Sequence, residues 1–435
     1  MKIGFVSLGC CKNLVDSEEI MTVIKEQGHT ITGDVRQAEA IVVNTCGFIT
    51  SAKEESIQTI FEMAAYKQNG SCRLLIVTGC LAQRYTEQLK EQIPEIDALI
   101  PIRDYPQLAQ TLASVLHSTK QGNPKKAQRV LSGSPWQAYV KISEGCSNHC
   151  TYCAIPLIRG DQISYPQEQI LAQVRQLAQA GVKELTLIAQ DTTKYGVDST
   201  GSCQLPALIR AVDQIEGLHW IRILYMYPDE IEEEVLTAME ESQHVLPYFD
   251  IPIQHANQRL LEAMNRRSSK EEVRRLVRDI RRRFPDATCR TTLIVGFPTE
   301  TDEEFEELLA FVKEIRWDWM GAFAYSREED TKSYDMQPQV EESVARDRLE
   351  RLMQAQKEIS LQTNREKIGR TLEVLVEEKE GLVNRYRGRS SADAPDEVDG
   401  QVIFTAEEEI ALGSFVQVKI TDANAYDLMG ICQES

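Results

Sequence analysis

At 435 residues with 42% hydrophobic side chains, the chain is too long for one ordinary domain and has enough apolar content for two or three packed cores. Its net charge of -19 divides unevenly: residues 1–130 carry 14 basic and 14 acidic side chains, 131–365 carry 27 and 38, and 366–435 carry 7 and 15. That balance argues against a broad basic face for gripping nucleic acid and favours a basic partner, and 11 cysteines, an odd number without a secretory leader, argue for reduced thiols and metal ligands rather than a disulfide framework. No segment approaches the length needed to cross a bilayer, so a cytoplasmic protein with no membrane partner is expected.

Residues 1–117 alternate apolar runs with amphipathic stretches. Strands are expected at 3–8, 40–43 and 74–77, with helices near 14–27, 52–66 and 82–92. This is the grammar of a parallel α/β sheet. Each of the three strands runs into a cysteine: Cys10, Cys46 and Cys80. Ligands collect at the carboxyl ends of strands in such sheets, so the three thiols are expected to converge on one edge. A lone free cysteine is usually a small buried hydrophobe, but recurrence at one topological position points to a 4Fe-4S cluster on three thiolates with one iron open. Gly9 and Gly79, each beside a ligand, allow the tight turns this needs. Cys11, Cys72, Cys203, Cys289 and Cys432 lack such a pattern and read as structural, with Cys11 a possible spare thiol beside Cys10.

Residues 118–135, rich in Ser, Gly, Pro and Lys, read as a linker. Across 136–365, six apolar strands alternate with helices, at 138–142, 184–189, 220–226, 249–253, 291–296 and 320–325. Six such units suit an open, partial TIM barrel with its chemistry at the carboxyl ends of the strands. The first strand is followed by Cys146-Ser-Asn-His-Cys150-Thr-Tyr-Cys153. Three thiols at C-x3-C-x2-C, with no fourth cysteine, read as a second 4Fe-4S cradle that leaves one iron free to bind a substrate. Zinc is the competing reading, but it commonly takes paired C-x2-C or Cys/His couples, and no second pair stands at matching spacing. His149 sits awkwardly between two of the cysteines for a fourth ligand. A charged helix from about 340 to 366 leads into 366–435, where short strands at 371–379, 382–386, 401–404, 414–421 and 427–432 read as a compact β-barrel.

The cysteine motif resembles that of the radical S-adenosylmethionine superfamily, and the whole chain is similar to its methylthiotransferase family: a three-cysteine N-terminal domain, a radical barrel and a TRAM β-barrel. Gly9 to Glu18, Gln190 to Gly196, Ala324 to Glu328 and Ser391 to Pro395 resemble the branch that modifies an aspartate of small-subunit ribosomal protein twelve. Arg159-Gly160, Asp250 to His255, Met264-Asn265-Arg266 and Gly296 to Glu300 match the family more generally. The chain departs from the family pattern at Cys11, where proline is usual, at Tyr165, where arginine is, and at Thr299, where glycine is.

The resemblance implies two 4Fe-4S clusters, on Cys10, Cys46 and Cys80 and on Cys146, Cys150 and Cys153, with S-adenosylmethionine chelated at the second. A deoxyadenosyl radical would take hydrogen from the β-carbon of the aspartate, sulfur held at the N-terminal cluster would enter there, and a second S-adenosylmethionine would supply the methyl group. An electron donor and a sulfur source are further implied partners. The rival reading is methylthiolation of adenosine in transfer RNA; a non-enzymatic iron-sulfur carrier or RNA-binding sensor is a rival of another class. Tyr152, Gln190, Asp191, Arg266 and Gly296 are the expected cofactor contacts. The competing readings are a rim aromatic for Tyr152, a wet strand end for Gln190 and Asp191, a solvated arginine for Arg266, and a plain turn for Gly296. His255 reads as a ligand, a base or a buried hydrogen-bonded histidine, and Glu300 to Glu307 as a charged helix N-terminus.

Overall fold

A computed structural model describes residues 1–120, 128–381, 384–396 and 398–433. The first sheet holds five parallel strands: β1 (Lys2–Ser7), β2 (Thr30–Thr32), β3 (Ala40–Thr45), β4 (Leu74–Gly79) and β5 (Ala98–Pro101), in the order β2-β1-β3-β4-β5. The three expected strands form its centre. The two that apolar patterning missed are edges: β2 is three half-buried or exposed residues, and β5 ends in a proline, which an edge tolerates. Alternation in β3 and β4 buries both faces, Ile41, Val43, Leu75 and Val77 toward one helical layer and Ala40, Val42 and Ile76 toward the other. The single helix expected over 82–92 is two, Cys80–Arg84 and Thr86–Gln92, broken at Tyr85, whose φ of -124° and ψ of 37° leave the helical region.

Of the segment read as a linker, residues 121–127 lie outside the described residues. Its last part is packed rather than free: Arg129 is buried against Glu18 at 3.1 Å, and the Val130 amide donates to Thr22 at 2.9 Å.

The central region contains β6 (Gln137–Lys141), a small ribbon of β7 (Ser143–Glu144) and β8 (Ile163–Ser164), then β9 (Glu184–Ile188), β10 (Trp220–Ile223), β11 (Tyr248–Asp250), β12 (Thr288–Val295) and β13 (Trp319–Ala324). The six long strands are parallel and stand in two sheets, β10-β9-β6 and β11-β12-β13. The halves are stitched by amides of Leu246 to the Ile221 carbonyl at 2.8 Å and of Met226 to that of Asp250 at 2.9 Å. Ala138, Val140, Leu185, Leu187, Ile221, Ile223, Phe249 and Leu293 face the helices in one continuous apolar core. Tyr139, Lys141, Glu184, Arg222, Tyr248, Asp250 and Arg290 alternate with them, so the opposite face is polar and aromatic.

The helix Glu342–Arg365 leads to a closed five-stranded barrel of β14 (Thr371–Lys379), β15 (Arg385–Ser390), β16 (Val402–Thr405), β17 (Phe415–Ala423) and β18 (Leu428–Cys432). The strand expected at 382–386 begins three residues later, and residues 382–383 lie outside the described residues. This barrel covers the amino ends of the central strands. Arg389 meets Glu184 and Glu377, and the Trp319 indole donates to the Ala392 carbonyl at 2.8 Å.

Candidate functional site

Parallel register aligns Ser7 with Asn44 and Thr45 with Gly79, so the chain leaves three neighbouring strands at one level, and Cys10, Cys46 and Cys80 follow there. Gly9 has φ +91°, and a Cβ on it would lie 3.2 Å from the Cys46 sulfur; one on Gly79, at φ +93°, would lie 2.2 Å from Asn44 Oδ1. Both turns therefore require glycine. The Asn13 amide donates to the Leu8 and Thr45 carbonyls at 2.8 and 2.9 Å, clamping the ends of β1 and β3. Burial pushes the Cys80 thiol up to about 12 and raises that of Cys46, so both rest as neutral thiols at neutral pH.

The second triplet lies on the loop after β6 and β7. Its backbone is held by the Cys146 amide on the Gly160 carbonyl at 3.0 Å and the Thr151 amide on the Met264 carbonyl at 3.1 Å. Burial pushes Cys146 up to about 11, and burial with the neighbouring Cys150 thiol raises Cys153 further. His149, at φ +48°, points instead to Asp161 at 3.2 Å and is half exposed.

Among the described residues no three His, Cys, Asp or Glu side chains close tightly enough to hold a single metal ion. A four-iron cube is wider than an ion and spaces its thiolates further apart. Three free thiols at one level, from exposed Cys10 to buried Cys80, around turns that only glycine allows are a donor set that fits such a cube, and loading it would expel the thiol protons.

The other expected contacts divide. Arg266 is buried, which removes the solvated reading: its guanidinium stacks 3.9 Å from the Tyr227 ring centroid, donates to the Pro252 carbonyl at 2.5 Å and stands 3.9 Å from the Cys150 sulfur. Asp191 is fully buried, so the wet strand end fails for it; it accepts from the Asn148 amide at 2.7 Å and the Thr193 hydroxyl at 2.5 Å, orienting the cysteine loop. Gln190 donates to Glu144 at 3.4 Å, and its own amide oxygen is buried without a partner among the described residues. Tyr152 packs with Leu260, Met264 and Phe297. At Gly296 the room left by the missing side chain is filled by Ala345 of the long helix, 2.4 Å from an added Cβ. Glu300 is no part of an exposed acidic helix start; it is buried and pairs with His255 at 3.4 Å and Arg348 at 3.2 Å, leaving Thr301 to cap the helix Asp302–Ile315. Thr299 stands at φ +72°, a conformation costly for a β-branched residue, and is gripped by Arg259.

Sequence patterning missed what joins the two pockets. Arg159, at the end of the helix Ile155–Arg159, donates to Asp16 at 2.8 Å, Glu144 at 2.7 Å and Asn13 at 2.9 Å, and lies 3.6 Å from the Cys80 sulfur. Lys141 completes this group by pairing with Asp16 and Glu144. Tyr225 contacts the Cys11 sulfur at 3.4 Å, and Tyr227 the Cys150 sulfur at 3.8 Å. Further out, buried Glu328 takes Lys53 and Arg84, both at 2.9 Å. Two signals were available: Lys141 inside the apolar run 138–142, and Asp16 inside an apolar helix face, since buried charges need partners.

Three family models match in succession: "Uncharacterized protein family UPF0004" over residues 2–101, "Radical SAM superfamily" over 140–312 and "TRAM domain" over 368–432. A curated relative from Clostridioides difficile, "Ribosomal protein uS12 methylthiotransferase RimO", is 46% identical over 99% of this chain and 98% of its own length. One of the same name from Pelotomaculum thermopropionicum is 47% identical, covering 99% of each. Among solved structures, the radical S-adenosylmethionine methyltransferase TsrM from Kitasatospora setae, with cobalamin and a 4Fe-4S cluster bound, aligns with TM-score 0.56 at 13% identity over 77% of both chains. The cobalamin-dependent radical enzyme OxsB aligns with TM-score 0.52 at 13% identity, over 81% of this chain and 56% of the other. At that identity these two likenesses concern the fold.

Proposed function

The chain belongs to the family of ribosomal protein uS12 methylthiotransferases, and we propose that it is a radical S-adenosylmethionine enzyme that places a methylthio group on the β-carbon of an aspartate in that protein. Identity of 46% sustained over 99% of the chain carries this reading. Cys146, Cys150 and Cys153 would hold the 4Fe-4S cluster that the radical family implies; Cys10, Cys46 and Cys80 would hold a second. When bound, such clusters supply the electron that cleaves S-adenosylmethionine and an open iron for sulfur, chemistry that acid-base side chains cannot offer an unactivated C–H bond.

The protein's own residues set the stage for that chemistry. Arg266 keeps a permanent positive charge beside Cys150, and Arg159 keeps one beside Cys80, where it partly offsets the rise that burial gives that thiol. Asp191, through Asn148, holds the loop carrying Cys146 and Cys150, and Lys194 secures Asn148 from its other amide atom at 2.5 Å. Tyr152, Gln190 and Arg266 are the cofactor contacts this arrangement favours, lying beside the second triplet or, for Gln190, on the Glu144 that joins the pockets. A reducing partner and a sulfur source complete the proposal.

The test is the anaerobically reconstituted protein with S-adenosylmethionine, reductant and sulfide, offered uS12 and, separately, transfer RNA. Mass spectrometry should find a methylthio group on one uS12 aspartate. Modified adenosine with unmodified uS12 would overturn the reading.

A further inference from the structure

We propose that Lys12 receives the side-chain carboxylate of the substrate aspartate and makes the enzyme choose that residue over a neutral one; this deepens, and rests on, the reading of uS12 as substrate. Lys12 is only 8% exposed, yet among the described residues its ammonium has no carboxylate partner. It lies 3.0 Å from the centroid of the Tyr225 ring, its one close polar or π partner among the described residues. A buried ammonium without a counter-charge is costly, and an incoming carboxylate would supply what is missing.

The carboxylates around it are engaged elsewhere. Asp16 and Glu144 are held by Lys141 and Arg159. Asp250 pairs with Arg290 at 2.9 Å and accepts the Tyr225 amide at 2.9 Å, and Asp396 accepts the Tyr139 hydroxyl at 2.5 Å. The helix Cys11–Glu26 adds to the attraction: it begins without a side-chain cap and has no acidic residue in its first turn, so its positive end is uncompensated beside Lys12.

Location joins these facts to the reaction. Lys12 is two residues from Cys10, while Tyr225, its ring partner, is two residues from Tyr227, which touches Cys150. Lys12 is thus tied through near neighbours to both thiol pockets, and a residue receiving sulfur from one and losing hydrogen at the other has to reach both. Tyr225 is held there at φ +62°, an unfavourable conformation for an aromatic residue, pinned by Asp250 on its amide and Cys11 at its hydroxyl. Strain of this kind persists where surrounding structure imposes it, and it gathers at functional sites.

The experiment is fluorescence anisotropy of the full-length, cluster-loaded protein with two labelled uS12 peptides, one carrying the target aspartate and one asparagine in its place. Wild type should bind the aspartate peptide roughly 10- to 100-fold more tightly, the size of a charged hydrogen bond at a buried site. Lys12→Met, similar in length and uncharged, should bring that ratio close to one, and Lys12→Arg should retain most of it. Iron content of each variant reports whether the pockets still load. Equal binding of both peptides by wild type overturns the proposal without any variant, as does an unchanged preference in iron-replete Lys12→Met. Should wild type bind and modify the aspartate peptide under either result, the substrate reading stands and only the role of Lys12 falls; binding of transfer RNA with neither peptide removes both.

Discussion

Two domains dock on the same central barrel at opposite ends, and both interfaces are built on buried arginines, with different consequences. At the carboxyl ends of the strands, Arg159 joins Asp16, Glu144 and Asn13 and also lies beside Cys80. At the amino ends, Glu184 is fully buried between Arg222 at 3.2 Å and Arg389, and Tyr248 donates to Asp399 at 2.5 Å, with no cysteine in these pairs. Charge at the first interface fixes domain position and acts on a thiol pocket; charge at the second fixes position alone. Buried ion pairs are expensive in either place, so their specificity is better understood as register than as stability.

The sharpest way to break the comparison is through the thiols. Cys150→Ala should abolish cleavage of S-adenosylmethionine while leaving about half the iron, and Cys46→Ala should leave cleavage but remove methylthiolation; cluster analysis beside product assays reads both. Either variant losing both activities with iron retained in full would mean the pockets are not independent cluster sites.

Next come the arginines. Arg159→Met and Arg389→Met each remove one cation from buried carboxylates that keep another, Lys141 in the first case and Arg222 in the second, so a loss of roughly 1–3 kcal/mol is expected in each. Only Arg159→Met should alter the electron paramagnetic resonance spectrum of the N-terminal cluster; Arg389→Met should lower the melting temperature with that spectrum unchanged. Matching spectral changes in both would erase the distinction drawn between the interfaces.

Acid should separate them by sign. Although burial pushes them up, Glu144 is held well below the ordinary carboxylate range by Lys141 and Arg159, and Glu328 is lowered by Lys53. Stability from such groups is present above the ordinary value of 4.5 and is lost as pH falls through the lowered one. The C-terminal interface mixes signs: Glu184 is lowered by Arg389 and Arg222 against the effect of burial, but burial raises Asp399, so protonation relieves a cost there. Hydrogen exchange followed from about pH 5 down to about pH 2 should therefore show the N-terminal domain loosening before the C-terminal barrel.

The smallest effect is expected at Glu328. Lys53→Met removes one of its two cations while Arg84 remains, so a loss of about 1 kcal/mol is expected in denaturant unfolding.

What was legible in the chain was local and periodic. Apolar runs ending in cysteine located β1, β3 and β4, and the C-x3-C-x2-C loop stood out after β6, because strand periodicity and ligand spacing are written in consecutive residues. Edge strands β2 and β5 were not, being too short to carry a pattern. The partners of Arg159, 143 and 146 positions away in Asp16 and Asn13, leave no periodic trace, and neither does the ring of Tyr225 under Lys12.

By itself, then, the sequence determined three folding units, two sets of three thiols and the acidic character that goes with a basic substrate, since these follow from composition and short-range pattern. Tertiary structure alone decided which charges are buried, which are balanced and which, like Lys12, have no counter-ion among the described residues. The energy of a charge depends on its surroundings in space, and those are supplied by residues far apart along the chain.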